Sequence, residues 1–224
     1  MQRWLNRVWY EGAPGALLLL PLAWLFALGA GLRRAAFRHG LATSQHVGGR
    51  VIVVGNLTAG GTGKTPLVIW LVEQLRGRGL NVGVVLRGYG GAAGAARLLA
   101  SDATAAQVGD EALLIRRRTG CAVAVGRDRV AAARLLRGAG IDYIVSDDGL
   151  QHYRLARDAE IVVIDAARGF GNGRLLPAGP LREAPVRLRT VSAVVVNGGA
   201  SALYEHGIGM QLLPEHIVPL AEYA

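Results

Sequence analysis

The sequence predicts an α/β fold, a mostly parallel sheet with helices on both faces. Three observations carry that expectation. Short apolar runs recur at residues 51–54, 82–86, 122–125, 143–145, 161–164 and 193–196. Helix-compatible stretches at 66–78, 109–118 and 127–138 separate the first several. The runs are apolar throughout rather than alternating, which belongs to strands covered on both faces.

Between the first strand and the first helix lies Thr58-Ala59-Gly60-Gly61-Thr62-Gly63-Lys64-Thr65. Strand, glycine-rich turn, Gly-Lys-Thr and helix together describe a phosphate-binding P-loop. Glycines let backbone N–H groups close around an anion, and the helix N-terminus adds a favourable partial charge. In that pattern Lys64 reaches the β- and γ-phosphates and the Thr65 hydroxyl serves Mg²⁺. The pattern asks for glycine where Thr58 stands, so Gly60, Gly61 and Gly63 must carry the turn. Lys64 is the only lysine among 25 basic residues. A chain that uses arginine everywhere else keeps a compact ammonium here.

At 224 residues the chain is long enough for one full domain, or one domain and an appendage. Net charge is +9, which implies an anionic partner. Aromatic residues make up 6% and do not interleave with basic ones, which argues against nucleic acid. One cysteine, Cys121, excludes an internal disulfide framework. Mean hydropathy of +0.30 is high for a soluble domain.

The N-terminal segment accounts for much of that hydropathy. Residues 12–32 carry no charge, 21 residues in all. At about 1.5 Å per residue they reach across a hydrocarbon core of about 30 Å. Trp4, Trp9 and Tyr10 precede the run, and Arg33, Arg34 and Arg38 follow it. Residues 1–38 are therefore read as a membrane anchor, spanning or monotopic, with Pro21 a kink if it spans. A cleaved signal peptide is the competing reading. Residues 39–50 form a connector, 51–200 the nucleotide-binding domain, and 201–224 the start of a second lobe, with a strand at 216–220.

Polar clusters follow several strands, where ligands of open α/β sheets collect. Arg87-Gly88-Tyr89-Gly90 follows the second strand and reads equally well as a turn. Asp147-Asp148-Gly149 ends the strand at 143–145. A carboxylate at the end of an apolar strand is a Walker-B arrangement that holds Mg²⁺. Asp165 ends the next strand in the same way, as a supporting carboxylate or a turn residue. Asp110 and Glu111 open a helix, where capping is the simpler reading. Residues 170–183 form a long Gly- and Pro-rich loop of the kind that is usually functional or disordered, and its two arginines suit an anion. No Asn-Lys-x-Asp string and no His-Arg-Asp or Asp-Phe-Gly set is present, which lowers the regulatory GTPase and protein-kinase readings.

Taken together, these strings resemble the tetraacyldisaccharide 4'-kinases of lipid A biosynthesis. The most specific are Asp147-Asp148-Gly149-Leu150-Gln151-His152 and Leu176-Pro177-Ala178-Gly179-Pro180-Leu181-Arg182-Glu183. Thr58 at the non-glycine position also fits that family. The resemblance implies ATP-dependent, Mg²⁺-dependent phosphorylation of the 4'-hydroxyl of a lipid disaccharide 1-phosphate, at the cytoplasmic face of the bacterial inner membrane. It implies Lys64 and Thr65 on phosphates and metal, and Asp147, Asp148 and Glu183 near the metal. Asp110 is implied as the catalytic base, and Arg87 and Tyr89 form a loop beside nucleotide and substrate. Membrane lipids are the implied surroundings, with no required protein partner. Members of the family run on beyond residue 224, so a truncated and weakly active kinase is the expectation. A membrane-anchored P-loop NTPase serving assembly or targeting is the alternative.

Overall fold

The computed structural model describes residues 2–88, 95–199 and 206–213. The expected strand at 216–220 and Tyr89 lie outside them. The P-loop-like α/β architecture is present. Strands β1 (Arg50–Gly55), β2 (Val82–Leu86), β4 (Ala122–Val125), β5 (Tyr143–Asp147), β6 (Ala159–Asp165), β7 (Ala193–Asn197) and β8 (Ile208–Met210) pair in parallel. The two-residue β3 (Arg97–Leu98) closes one edge antiparallel to β4. Sheet order is β3-β4-β2-β5-β1-β6-β7-β8.

Both faces are covered, as uniformly apolar strands require. On β1, Val51 and Val53 pack with Val130 and Leu136 of α6 (Arg129–Gly138). The alternate residues Ile52 and Val54 meet Val68 and Val72 of α3 (Lys64–Gly77), and the same cluster takes in Ile115 of α5 (Asp110–Thr119). A third cluster, Leu57, Leu150, Leu181 and Leu188, lies under β6 and β7 and brings the 170–183 loop into the core. Each fully buried Val or Leu contributes about 1.5–3 kcal/mol of transfer free energy, so this loop is held by packing and is part of the scaffold.

The N-terminal segment departs from expectation. Helix α1 (Gln2–Tyr10) ends before Gly12, which takes a φ of +73°, and Pro14–Ala16 forms a short 3-10 turn. Helix α2 (Leu20–Arg38) begins only then, so its uncharged part runs from Leu20 to Leu32. Thirteen residues reach about 20 Å, well short of a hydrocarbon core. Among the described residues no helix is long and apolar enough to cross a membrane. Pro21 sits in the first turn of α2, where its missing N–H costs nothing, and so makes no kink. Leu18, Leu22, Trp24, Leu25, Leu28 and Leu32 are exposed, with Leu18 at 83% and Trp24 at 67%. Such a continuous apolar face is more than isolated surface hydrophobes explain.

Candidate functional site

The site forms where β1 and β5 end side by side. Val54 pairs with Asp147 in parallel register, so the turn after β1 and the carboxylates after β5 emerge together. The turn is shaped by Gly60 and Gly63, with φ of +106° and +88°. Asn56, fully buried, donates its side-chain amide to the carbonyls of Thr58 (2.7 Å) and Gly60 (3.2 Å) and fixes the loop from within. Thr58 itself bridges Leu181 in antiparallel fashion, and Ala59 N donates to Pro180 O at 2.7 Å. Asp148 is the one non-glycine residue with positive φ among those described, so Thr58 needs no left-handed backbone. That is why a side chain is tolerated at the position where the motif asks for glycine. At the other end of the loop Asn197 of β7 donates to Thr62 O at 3.3 Å. A Cβ on Gly55 would meet the Cβ of Leu150 at 2.6 Å, which seats the 149–153 turn directly against the loop.

Lys64 Nζ lies 3.6 Å from Asp148 Oδ1, and Arg182 Nη1 lies 3.0 Å from the same oxygen. Burial alone would raise the Asp148 carboxyl, but Lys64 and Arg182 outweigh it and hold the group below the usual carboxylate range. Asp148 takes φ of +48°, an uncommon backbone position that aspartate tolerates better than most residues. Asp147 is different. It is 3% exposed, and burial, with Glu111 and Asp148 nearby, pushes its carboxyl up to about 6 despite Lys64. A buried carboxylate whose charge is only partly compensated suits a cation beside it. Two adjacent carboxylates and the Thr65 hydroxyl at the head of α3 are hard oxygen donors, the ligand type Mg²⁺ takes.

A small cavity of about 70 Å³ joins Lys64, Arg87, Glu111, Arg129, Asp147 and Asp148. Of the acidic pair that opens α5, Glu111 lines it and Asp110 does not; Asp110 is exposed at the first position of the helix. Arg129 is 3% exposed and donates to Gly126 O (3.0 Å) and Asp147 O (3.2 Å), pinning the end of β5. Sequence reading missed it. The available signal was an arginine in the first turn of a helix, where the macrodipole disfavours a cation.

Glu183, expected beside the metal, has both oxygens engaged elsewhere. Gln151 Nε2 donates to Oε1 at 3.0 Å, the Tyr153 hydroxyl donates to Oε2 at 2.7 Å, and Arg187 stands 3.4 Å away. Its carboxylate therefore organises the 151–153 turn, and among the described residues no group of three His, Cys, Asp or Glu side chains gathers to hold a metal. Asp165 accepts the N–H groups of Ala167 and Arg168 and pairs with the Arg168 guanidinium at 2.9 Å, which makes it a turn residue.

A cleft of about 690 Å³ opens in front of Asp148. Phe26, Gly29 and Arg33 of α2 form one wall; His152, Arg182 and Glu183 form part of the other. Burial and the nearby Arg129, Arg87 and Arg33 lower His152 to about 4, so its imidazole is neutral at pH 7. Helix α1 is tied to the same region: Trp9 Nε1 donates to Pro177 O at 2.9 Å, and Asn172 N donates to Trp9 O at 2.8 Å. Helix α2 and Asp148, the carboxylate that pairs with Lys64, thus line one cleft.

Residues 15–219 match the family model described as tetraacyldisaccharide-1-P 4'-kinase. The chain belongs to that family. A curated tetraacyldisaccharide 4'-kinase of Thiobacillus denitrificans is 59% identical over 201 residues, which cover 88% of this chain and 61% of that protein. The chain thus spans less than two thirds of the length of this 4'-kinase relative. Among solved structures, LpxK from Aquifex aeolicus, determined in complex with ATP, superimposes with a TM-score of 0.76 at 27% identity, over 88% of this chain and 64% of that one.

Proposed function

We propose that the chain transfers the γ-phosphoryl group of ATP to the 4'-hydroxyl of a tetraacyldisaccharide 1-phosphate, giving lipid IVA in lipid A biosynthesis. The observation that carries this reading is the place of Asp148, which lies 3.6 Å from Lys64 and lines the cleft that α2 walls, so that the phosphate-gripping loop stands one carboxylate away from an apolar helix. The sugar oxygen attacks the γ-phosphorus, the bond to the β-phosphate oxygen breaks, and ADP leaves. Phosphoryl transfer of this kind is governed by positioning and charge neutralisation. Lys64 and the loop N–H groups hold the phosphates, and Arg182 keeps Asp148 ionised. Asp147, Asp148 and Thr65 are the residues suited to Mg²⁺, which when bound neutralises charge on the transferring phosphates. The test is transfer of radiolabel from ATP to the lipid disaccharide 1-phosphate in mixed micelles; a chain that hydrolyses ATP without labelling the lipid sinks the reading.

The proton of the 4'-hydroxyl needs a carboxylate acceptor. Family resemblance assigns that role to Asp110, whereas Glu111 faces Asp147 across the small cavity. Asp110→Asn is expected to lower kcat by about 10²–10³-fold with little change in the KM for ATP. Glu111→Gln is expected to cost less than about tenfold, because it removes a neighbour that disfavours the Asp147 anion. A reversed ranking moves the base to Glu111.

We also propose that the chain works at the cytoplasmic face of the inner membrane; the exposed apolar face of α2 supports attachment in the plane of a bilayer rather than across it. An in-plane helix buries its apolar face about 5–10 Å deep and keeps arginines at the headgroups. Replacing Trp24, Leu25 and Leu28 together by serine is expected to weaken sedimentation with anionic vesicles by about tenfold or more. Unchanged sedimentation removes the membrane role of this helix.

A further inference from the structure

Arg168, in the turn after β6, carries a guanidinium that is only half used. Its Nε and Nη2 both donate to Asp165 Oδ2, at 3.1 and 2.9 Å. Asp165 Oδ1 accepts the N–H groups of Ala167 and Arg168, each at 3.0 Å, so the turn fixes the carboxylate and the carboxylate fixes the guanidinium. One edge of the planar fork is thereby spent. Nη1 keeps both of its N–H groups, with no hydrogen bond among the described residues. It stands 3.1 Å from the point where a Cβ on Gly60 would lie. Gly60 belongs to the nucleotide loop, and its φ of +106° favours the residue without a side chain, which leaves this space to the guanidinium. A surface Asp–Arg pair contributes at most about 1 kcal/mol and needs no contact with a loop. Here the pair is aimed at one.

Position gives the free edge a ligand. The loop leaves β1 between β5 and β6, the two neighbours of β1 in the sheet. Lys64 and Arg182 converge on Asp148, after β5, whereas Arg168 stands after β6, at Gly60. In a P-loop the helix end takes the inner phosphates, and the turn nearer the strand borders the outermost one. Gly60 lies in that turn. We propose that Arg168 donates from Nη1 to the oxygens of the γ-phosphoryl group as it transfers, with Asp165 the positioning residue that sets the plane of the guanidinium. The assignment rests on the kinase reading above and adds to it a cation on the β6 side of the loop. The sugar oxygen bonds to the γ-phosphorus while the bond to the β-phosphate oxygen breaks; Arg168 supplies charge and donors and takes no proton. A guanidinium fork matches phosphoryl oxygens in geometry. One that is held in place before the reaction acts where charge is redistributed in the transition state.

The test measures label transfer to the tetraacyldisaccharide 1-phosphate and, separately, affinity for Mg-ADP and for Mg-ADP with aluminium fluoride, which mimics the transferring phosphoryl group. Arg168→Ala is expected to lower kcat by about 10²-fold or more while the KM for ATP moves less than about threefold. The same variant should bind Mg-ADP as the wild type does, yet lose about 10²-fold in affinity for Mg-ADP with aluminium fluoride. Guanidinium ion should restore part of the rate to Arg168→Ala and none to Lys64→Ala. Asp165→Asn keeps an oxygen for the two turn N–H groups and should lower kcat about tenfold, with the KM for ATP and the melting temperature unchanged. A wild-type kcat in Arg168→Ala, or a loss confined to the KM for ATP, overturns the assignment. So does a fall in rate that comes with a lower melting temperature and wild-type affinity for the fluoride complex, since the pair then serves only the turn. A wild type that labels no lipid overturns the kinase reading itself, and this inference with it.

Discussion

Lys64→Ala is expected to reduce lipid phosphorylation by about 10³-fold or more, equivalent to about 4 kcal/mol of transition-state stabilisation. The side chain is 12% exposed and lies within 3.6 Å of Asp148. Its removal takes a desolvated positive charge from the place where phosphoryl oxygens gain negative charge. It also removes the main influence that lowers Asp148 and the largest that pulls Asp147 down, so both carboxylates shift toward the protonated form. Lys64→Arg should recover little, because a planar guanidinium does not replace a compact ammonium in a closed cavity. Folding is spared, since α3 is held by Leu67, Val68 and Val72 on its buried face. The measurement is the rate of label transfer together with the melting temperature. A variant that melts like the wild type and still transfers phosphate at wild-type rate removes Lys64 from the mechanism.

The sequence was readable wherever one strong local rule decided the outcome. Uniformly apolar strands fixed a parallel sheet, and all six expected runs are strands. The three expected helices lie within two residues of α3, α5 and α6. Edge strands escaped notice because β3 has two residues and β8 has three, too short for any periodicity to show. The apolar N-terminus misled on length. Hydropathy counts residues, whereas Gly12 and Pro14 decide where a helix can begin. At the site, the approach of Lys64 to the carboxylates after β5 was legible because strand ends and the glycine turn must meet at the sheet's carboxyl edge. The partners of Glu183 were not, since no spacing rule says that Gln151 and Tyr153 will occupy its oxygens. Arg129 was hidden for a similar reason, since the strand end that it pins, at Asp147, lies on a different element.

Asp147→Asn should have two opposite effects, and together they separate function from folding. Transfer is expected to fall by about 10²–10³-fold, because an amide is a poor ligand for Mg²⁺ and carries no charge. The free protein should at the same time become more stable. In the folded chain the carboxyl titrates at about 6, above its ordinary 3.8, so the fold binds the proton more tightly than the unfolded chain does. Below about 4 the group is neutral in both states and costs nothing. As pH rises through 4 to 6 the unfolded chain ionises first, and above 6 burial of the anion costs the fold about 3 kcal/mol. Asparagine removes that cost and keeps an oxygen to accept the Asp148 N–H, now 2.8 Å from Asp147 Oδ1. The melting temperature at pH 7.5 should therefore rise by several degrees. His152 acts with the opposite sign across nearly the same range, since it stays neutral down to about 4 while the unfolded chain protonates near 6.5. The wild-type pH profile will be nearly flat from these two groups, and the difference between variant and wild type isolates Asp147. Mg-ATP should raise the melting temperature of the wild type far more than that of the variant. An asparagine variant that is less stable at pH 7.5, or that gains as much from Mg-ATP as the wild type, would show that Asp147 is held for structure and not for the metal.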